Sequence, residues 1–371
     1  MLKAKYKYVI VCMLIFFVLF CLLIWFVFNN SSKIRTYINK VGTTKIWVIT
    51  GFVRPFGVRF TDGGELLVSD FGNHSIVKLS KTYEFVGRVG KFKDGLPVQL
   101  GWARGDKTVA GSGLGEFHGP HSVDVDKSGK IYVAETYNRR LQVLSQDGSP
   151  KEVLENSYLG ASDSIASAYL GSLNNILVSG ANDKIIKIEL KRNNGLGGRS
   201  SYYPTKEIKL KRPHAARRDS KGNILVVDTD NHRILKFNDK ENFVGWIGAK
   251  KSGGYTNGWS ITGEAVRSHE PGGFALPTSL AIDECGNFVV SEYGNPRIQA
   301  FSSNGRFLGW FGGKGDRRVV SIWERKGRAS KGKEVGYISE SYGLDIKGNL
   351  IAVSDSVNKR VQIIKAPKFE C

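Results

Sequence analysis

One short phrase recurs along this chain and limits what it can fold into. It reads NHSI at 73–76, NRRL at 138–141, NDKI at 182–185, NHRI at 231–234, NPRI at 295–298 and NKRV at 358–361. The Asn positions are separated by 65, 44, 49, 64 and 63 residues. The short spacings match the ~40–50 residue period of a four-stranded propeller blade. The longer ones are the same unit with about 20 residues inserted.

Each unit carries the same signals. In 276–313, "TSLAID" reads as a short apolar strand and "ECGN" as a turn. "FVVSE", "RIQAF" and "FLGWFG" read as the next three strands. Units 210–248 and 115–148 follow the same order, whereas the unit around 160–190 has lost its leading Pro and its acidic residue. The chain has 44 Gly and only 10 Pro, which suits many short strands joined by tight turns.

An acidic residue stands three before the Asn in most copies: Asp70–Asn73, Glu135–Asn138, Asp228–Asn231, Glu292–Asn295 and Asp355–Asn358. Four of these continue into an Arg: Arg140, Arg233, Arg297 and Arg360. Such a segment predicts a tight turn between second and third strands. Asn tolerates left-handed backbone and bonds its own turn, while the carboxylate accepts turn amides or pairs with Arg. Repetition marks these residues as scaffold, and none is assigned a catalytic role; the catalytic residues are unknown at this level.

The recurring letters resemble the NHL repeat, with its acidic-x-x-N-x-R-I core, over residues 44–368. That resemblance implies an all-β, six-bladed β-propeller. The last unit ends after its third strand, and "TKIWVITGF" at 44–52 resembles the fourth-strand stretches "FVGWIG" and "FLGWFG". The N-terminal strand is therefore expected to complete the last blade, leaving no open edge.

Ahead of the repeats, residues 8–28 are 21 residues without a charge, preceded by Lys3, Lys5 and Lys7. That length suits a bilayer core of ~30 Å. The expected division is a basic leader at 1–7, a transmembrane helix at 8–28, a linker at 29–43 and a propeller at 44–371. The favoured reading is a single-pass anchor with the propeller on the exported, periplasmic or extracellular side. A long cleaved signal is the alternative. The formal charge of +20 favours anionic partners. For an exported domain these are an anionic polysaccharide, a cell-envelope component or a protein partner rather than nucleic acid. Cys285 and Cys371 form one bridge or remain two free thiols.

Three insertions fall in fourth-to-first connections, at 91–112, 249–271 and 314–334, and each carries one Trp: Trp102, Trp259 and Trp323. With Arg104, Arg317, Arg318 and Arg325 they form a candidate basic binding face. The alternative is that these loops pack on themselves. A second candidate lies at the channel mouth, where equivalent first-strand positions hold Phe56, His121, His214, Thr278 and Tyr342.

"GPHSVDVD" at 119–126 is similar to the strand of the peptide-amidating lyase propellers. That resemblance implies several His around the axis and a metal-dependent lyase or hydrolase. Here two of the six positions are His, so His121 and His214 are the candidate zinc or calcium ligands. No cofactor is otherwise expected. No phosphate loop, nucleophile elbow, H-E-x-x-H or CxxC occurs. The sequence thus favours a binding or scaffold module, with the metal-dependent enzyme and an RNA-binding NHL domain as alternatives.

Overall fold

The computed structural model describes residues 34–41, 44–98, 101–105, 107–154, 165–170, 175–180, 183, 185–190, 196–203, 208–314, 323–369 and 371. It is built from antiparallel sheets whose strands follow chain order from the inside outwards. The 55–89 blade contains Pro55–Phe60, Leu66–Asp70, Ser75–Leu79 and Phe85–Val89. The 120–154 blade contains Pro120–Val125, Ile131–Glu135, Arg140–Leu144 and Pro150–Leu154. The 213–247 blade contains Pro213–Arg218, Ile224–Asp228, Arg233–Phe237 and Phe243–Ile247. The 277–314 blade contains Pro277–Ile282, Phe288–Glu292, Arg297–Phe301 and Phe307–Lys314, with Ala329–Ser330 at its edge.

The closing blade joins both ends of the described chain. Leu344–Lys347, Leu350–Asp355 and Arg360–Lys365 are its inner strands, and Thr44–Thr50 pairs antiparallel with Arg360–Lys365, Trp47 opposite Ile363. Arg35–Val41, expected in a linker, folds back on Thr44–Thr50 as a fifth strand.

The second and third strands are buried along both faces, because each blade is sandwiched between neighbours. Apolar clusters fill the blade junctions. Val58, Val68 and Val77 meet Ile49, Val361 and Ile363 across one junction, and Val227, Ile234 and Ile247 meet Leu280, Phe288 and Val290 across another. This inter-blade burial is the main cohesive force.

Two expectations are corrected here. The repeat predicts six blades with a degenerate third unit; the count is corrected to five. Between the 120–154 and 213–247 blades lie Ile165–Leu170, Asn175–Gly180, Ile185–Leu190 and Leu196–Tyr203. This stretch departs from the repeat where the repeat does its structural work. Ser179 stands at the acidic position and Lys184 at the Arg position, so it lacks the carboxylate–guanidinium pair that clamps other blades. The second correction concerns the single-pass membrane helix. The leader at 1–7 and the span expected at 8–28 lie outside the described residues. Among the described residues no helix is long and apolar enough to cross a membrane.

Candidate functional site

The repeated turn is a buried polar clamp. Glu135 accepts Arg140 Nε at 2.7 Å and Asn138 Nδ2 at 2.6 Å. Glu292 does the same with Arg297 at 2.7 Å and Asn295 at 2.6 Å. Asp228 pairs with Arg233 and Asn231, and Asp355 with Arg360 and Asn358. The guanidinium's remaining N–H groups donate to carbonyls of the connection entering the same blade, such as Gly113 and Glu116 for Arg140. Arg suits this task because its fork presents several donors in fixed geometry.

The turn differs from expectation in one detail. The left-handed residue is the one after the Asn: His74, Arg139, Asp183, His232 and Lys359 have φ between 50° and 55°. The Asn instead spends its side-chain amide on the carboxylate. Asn295 is followed by Pro296, which cannot adopt that conformation, and there Arg297 N donates to Asn295 O at 2.8 Å.

These carboxylates also build the channel mouth. Asp70 accepts the amides of Val53 and Arg54, and Glu135 that of His118. Asp228 accepts Lys211 N, Glu292 accepts Ala275 N and Asp355 accepts Ser339 N, at 2.7–2.9 Å. Counting on three residues from Val53, His118, Lys211, Ala275 and Ser339 gives Phe56, His121, His214, Thr278 and Tyr342. Each clamp therefore sets the point from which its inner strand enters the channel.

The five mouth residues converge. Phe56 stacks on Tyr342 with ring centroids 4.3 Å apart, and on Phe71 at 4.4 Å. His121 lies edge-on to Phe56 at 4.8 Å and 5.1 Å from His214. His214 lies 5.8 Å from Tyr342, and its Nδ1 is 3.0 Å from the Thr278 carbonyl oxygen. That oxygen can only accept, so Nδ1 carries the proton and Nε2 keeps a lone pair. Burial holds the His214 imidazole down to about 4, with nearby Arg212 adding to the effect. Burial, with Glu340 beside it, pushes the Tyr342 hydroxyl up to about 12.

The rim adds groups that the sequence left in the scaffold. Phe71, Tyr137 and Tyr293 sit at the tips of second-to-third turns, between the acidic residue and the Asn. Tyr137 is 56% exposed and Tyr293 is 42% exposed. The Arg54 guanidinium lies 5.1 Å from the Phe56 ring centre. Arg212, itself exposed, pairs with Asp230 at 2.7 Å. The signal for these residues was present as D-F-G-N, E-T-Y-N and E-Y-G-N: an aromatic recurs at the turn tip of three units.

The insertion Trp residues lie elsewhere. Each insertion runs back along the outer edge of its blade. Ala103 exchanges backbone hydrogen bonds with Arg88, Ser260 with Trp246, and Glu324 with Trp310. Trp102 Nε1 donates to Gln146 O, Trp259 Nε1 to Ser303 O and Trp323 Nε1 to Lys365 O, all in the following blade. The backbone and Cβ of these Trp residues lie over Gly87, Gly245 and Gly309, where an added Cβ would come within about 3 Å of them. These Trp residues protect blade edges and weld neighbours together. Arg104 is exposed on its loop, and Arg325 Nε donates to Leu308 O. Arg317 and Arg318 lie outside the described residues.

At the other end of the channel, Arg59 bridges Asp124 at 2.7 Å and Asp345 at 2.9 Å. A cleft of about 610 Å³ opens there beside the Cys285–Cys371 disulfide. Among the described residues no group of three or more His, Cys, Asp or Glu could hold a metal ion. His121 and His214 offer two imidazoles, one short of the usual catalytic zinc set.

Comparison with known proteins bears on the fold. The NHL repeat family matches residues 52–79, 117–144 and 210–237. NHL repeat-containing protein 3 of Mus musculus is 31% identical over 99 residues, covering 26% of this chain and 23% of its own length. The chain thus spans about a quarter of that relative. Virginiamycin B lyase from Staphylococcus aureus superposes with a TM-score of 0.50 at 13% identity, over 87% of this chain and 99% of that one. A gluconolactonase from Xanthomonas campestris gives 0.50 at 11% identity, over 90% and 95%. A structural genomics protein of unknown function from Bacteroides thetaiotaomicron gives 0.55 at 13% identity, over 85% and 70%. At such identities the likeness concerns fold alone. Each of the three matched stretches folds as the first three strands of a blade, so the chain carries NHL repeats within a β-propeller.

Proposed function

We propose that the protein is a binding module whose ligand seats at the aromatic mouth of the channel, and that the ligand is an anionic glycan. The observation that carries this is the Phe71–Phe56–Tyr342 stack with the Arg54 guanidinium 5.1 Å from its centre. Aromatic faces stack on sugar rings, and guanidinium groups recognise carboxylate or sulfate in bidentate fashion. Exposed Tyr137 and Tyr293 widen the stacking platform, and Arg212 supplies a second cation on the rim. The charge of +20 draws anions towards the surface over long range. The basic Trp-bearing loops are a weaker seat, because their indoles are committed to neighbouring blades.

The experiment is titration of the full chain with hexagalacturonate and with a neutral hexaglucan at several salt concentrations. The expected result is binding of the anionic oligomer alone, weakening as salt rises. Tyr342→Ala and Arg54→Gln should each weaken it about tenfold or more, a loss of ~1.4 kcal/mol. Binding that is salt-independent, or unchanged in Tyr342→Ala, rejects the proposal.

The convergence of His121 and His214 favours a second reading, a metal-dependent lyase or hydrolase at the same mouth. Its mark is near-stoichiometric zinc or calcium that disappears in a His121→Ala/His214→Ala variant. Absence of metal after both ions are offered removes this reading.

A further inference from the structure

The approach to the mouth is built the same way at three blade junctions. The left-handed residue of one blade's turn accepts, through its side chain, a backbone amide from the next blade. His74 Nδ1 accepts Gly119 N at 3.2 Å. Asp183 Oδ1 accepts Arg212 N at 2.6 Å. His232 Nδ1 accepts Leu276 N at 3.2 Å. Gly119, Arg212 and Leu276 all have positive φ, at 64°, 45° and 53°. All three precede a Pro, and the residue after that Pro is a mouth residue: His121, His214 or Thr278. Positive φ costs a non-glycine residue about 1 kcal/mol or more, so Arg212 and Leu276 need an outside partner to hold them.

We propose that His74 and His232 are positioning residues that make the mouth acid-sensitive. A neutral imidazole nitrogen accepts the amide; a protonated one is a donor and cannot. Protonation therefore breaks the latch, frees the Gly119 or Leu276 turn, and lets His121 or Thr278 leave its place. Thr278 also carries the carbonyl that holds His214 Nδ1, so release at Leu276 reaches a second mouth residue. At the third junction a carboxylate does the same work, and carboxylates remain acceptors through the range in which imidazoles protonate.

The surroundings of both rings favour the neutral form. Around His74 the facing titratable group is His118, with ring centroids 5.3 Å apart, and Tyr137 lies beyond it. Around His232 they are Arg267, Asp230 and Lys211. Burial, then His118, lowers the His74 imidazole from its usual value. Burial, then Arg267, lowers that of His232, with Asp230 and a hydrogen bond to the Thr229 backbone opposing and Lys211 adding. A lowered imidazole contributes stability that is full above the ordinary value of ~6.5 and is lost as pH falls towards the folded value.

The latch stands on backbone geometry; only its effect on ligand rests on the functional reading above. The test is amide exchange of the full chain at Gly119 and Leu276, at pH 7.5 and pH 5.0, corrected for intrinsic rates. Protection should fall about tenfold or more at both amides in acid. His74→Asp, which copies the Asp183 junction, should keep protection at Gly119 while Leu276 still responds. His232→Asp should do the reverse. Equal protection at both pH values, or an identical loss in the Asp variants, overturns the latch. Hexagalacturonate affinity is then compared at the two pH values. It should weaken severalfold in the wild type and hold in the double Asp variant. Amides that respond while the wild-type affinity does not would overturn the claim that the latch governs the mouth.

Discussion

Glu292 and Arg297 face each other across one turn, 2.7 Å apart, with both side chains wholly withdrawn from solvent. Arg297 also donates to the carbonyls of His269, Glu270 and Gly273, and Glu292 also accepts Asn295, Gln299 and the amide of Ala275. The pair is thus one node of a network in which nearly every donor and acceptor is used. Truncating one member strands the other. Arg297→Leu should cost about 3–5 kcal/mol of stability, read from the denaturant midpoint. Arg297→Lys should still cost a large part of this, because an ammonium cannot reproduce the fork. A loss under 1 kcal/mol in the Leu variant would show that the network does not clamp the blade.

The 55–89 blade has Ser75 where four of the other turns have Arg, and its acid is correspondingly exposed to the cost of burial. Burial raises the Asp70 carboxyl to about 6, against the lowering effect of the Arg54 and Val53 amides. The folded chain therefore holds this proton more tightly than the unfolded chain. Stability from this group is full below about pH 4 and is lost as pH rises through 6. Relative to Asp70→Asn, the wild type should lose roughly 2–3 kcal/mol between pH 4 and pH 6.5. Parallel pH curves for the two proteins would show that Asp70 is not the group responsible.

Trp259 stacks on Phe288 at 5.7 Å, lies under the Lys236 ammonium at 5.3 Å and donates to Ser303 O at 3.1 Å. Trp259→Phe keeps most of the packing and removes the donor. It should lower stability by ~1 kcal/mol and leave hexagalacturonate binding within twofold. A tenfold loss of binding with stability intact would return the binding face to the insertion loops.

The Cys285–Cys371 bridge ties a first-to-second turn of the 277–314 blade to the segment that follows the closing blade, across 86 residues. Phe369, two residues before the bridge, packs against the cluster shared by these two blades. Chain-entropy arguments put the stabilisation of so long a loop at about 4–5 kcal/mol. Cys285→Ser should show a loss of that order at most, and reductant should leave the variant unaffected while lowering the wild type. Equal midpoints for the oxidised wild type and the variant would show that the bridge contributes nothing.

Much of the fold was legible because it is repeated. The Asn-x-Arg phrase, its acid and the apolar strands between turns recur with a blade-like period, and one feature seen several times is strong evidence of a common unit. The convergence of Phe56, His121, His214, Thr278 and Tyr342 followed from their shared offset in that unit. The expected single-pass helix and the sixth blade fell on stretches where the repeat gave little help: residues 8–28 stand before it, and residues 160–190 have lost its acid and Arg. The destination of the insertion Trp residues was written more faintly. Gly87, Gly245 and Gly309 occur in the three outer strands that precede an insertion, whereas the outer strand "PKEVL" has neither Gly nor an inserted Trp.

By itself, then, the sequence determined the repeating unit, its buried acid–Asn–Arg turns and the residues that meet in the channel, because those are set by local spacing. Only the tertiary structure decided which loops turn away from the mouth, which turn-tip aromatics crowd it, and that His74 and His232 grip the following blade. Those relationships join residues 44 to 66 positions apart across blade junctions. Their energy comes from packing and hydrogen bonds that exist only once neighbouring blades have docked.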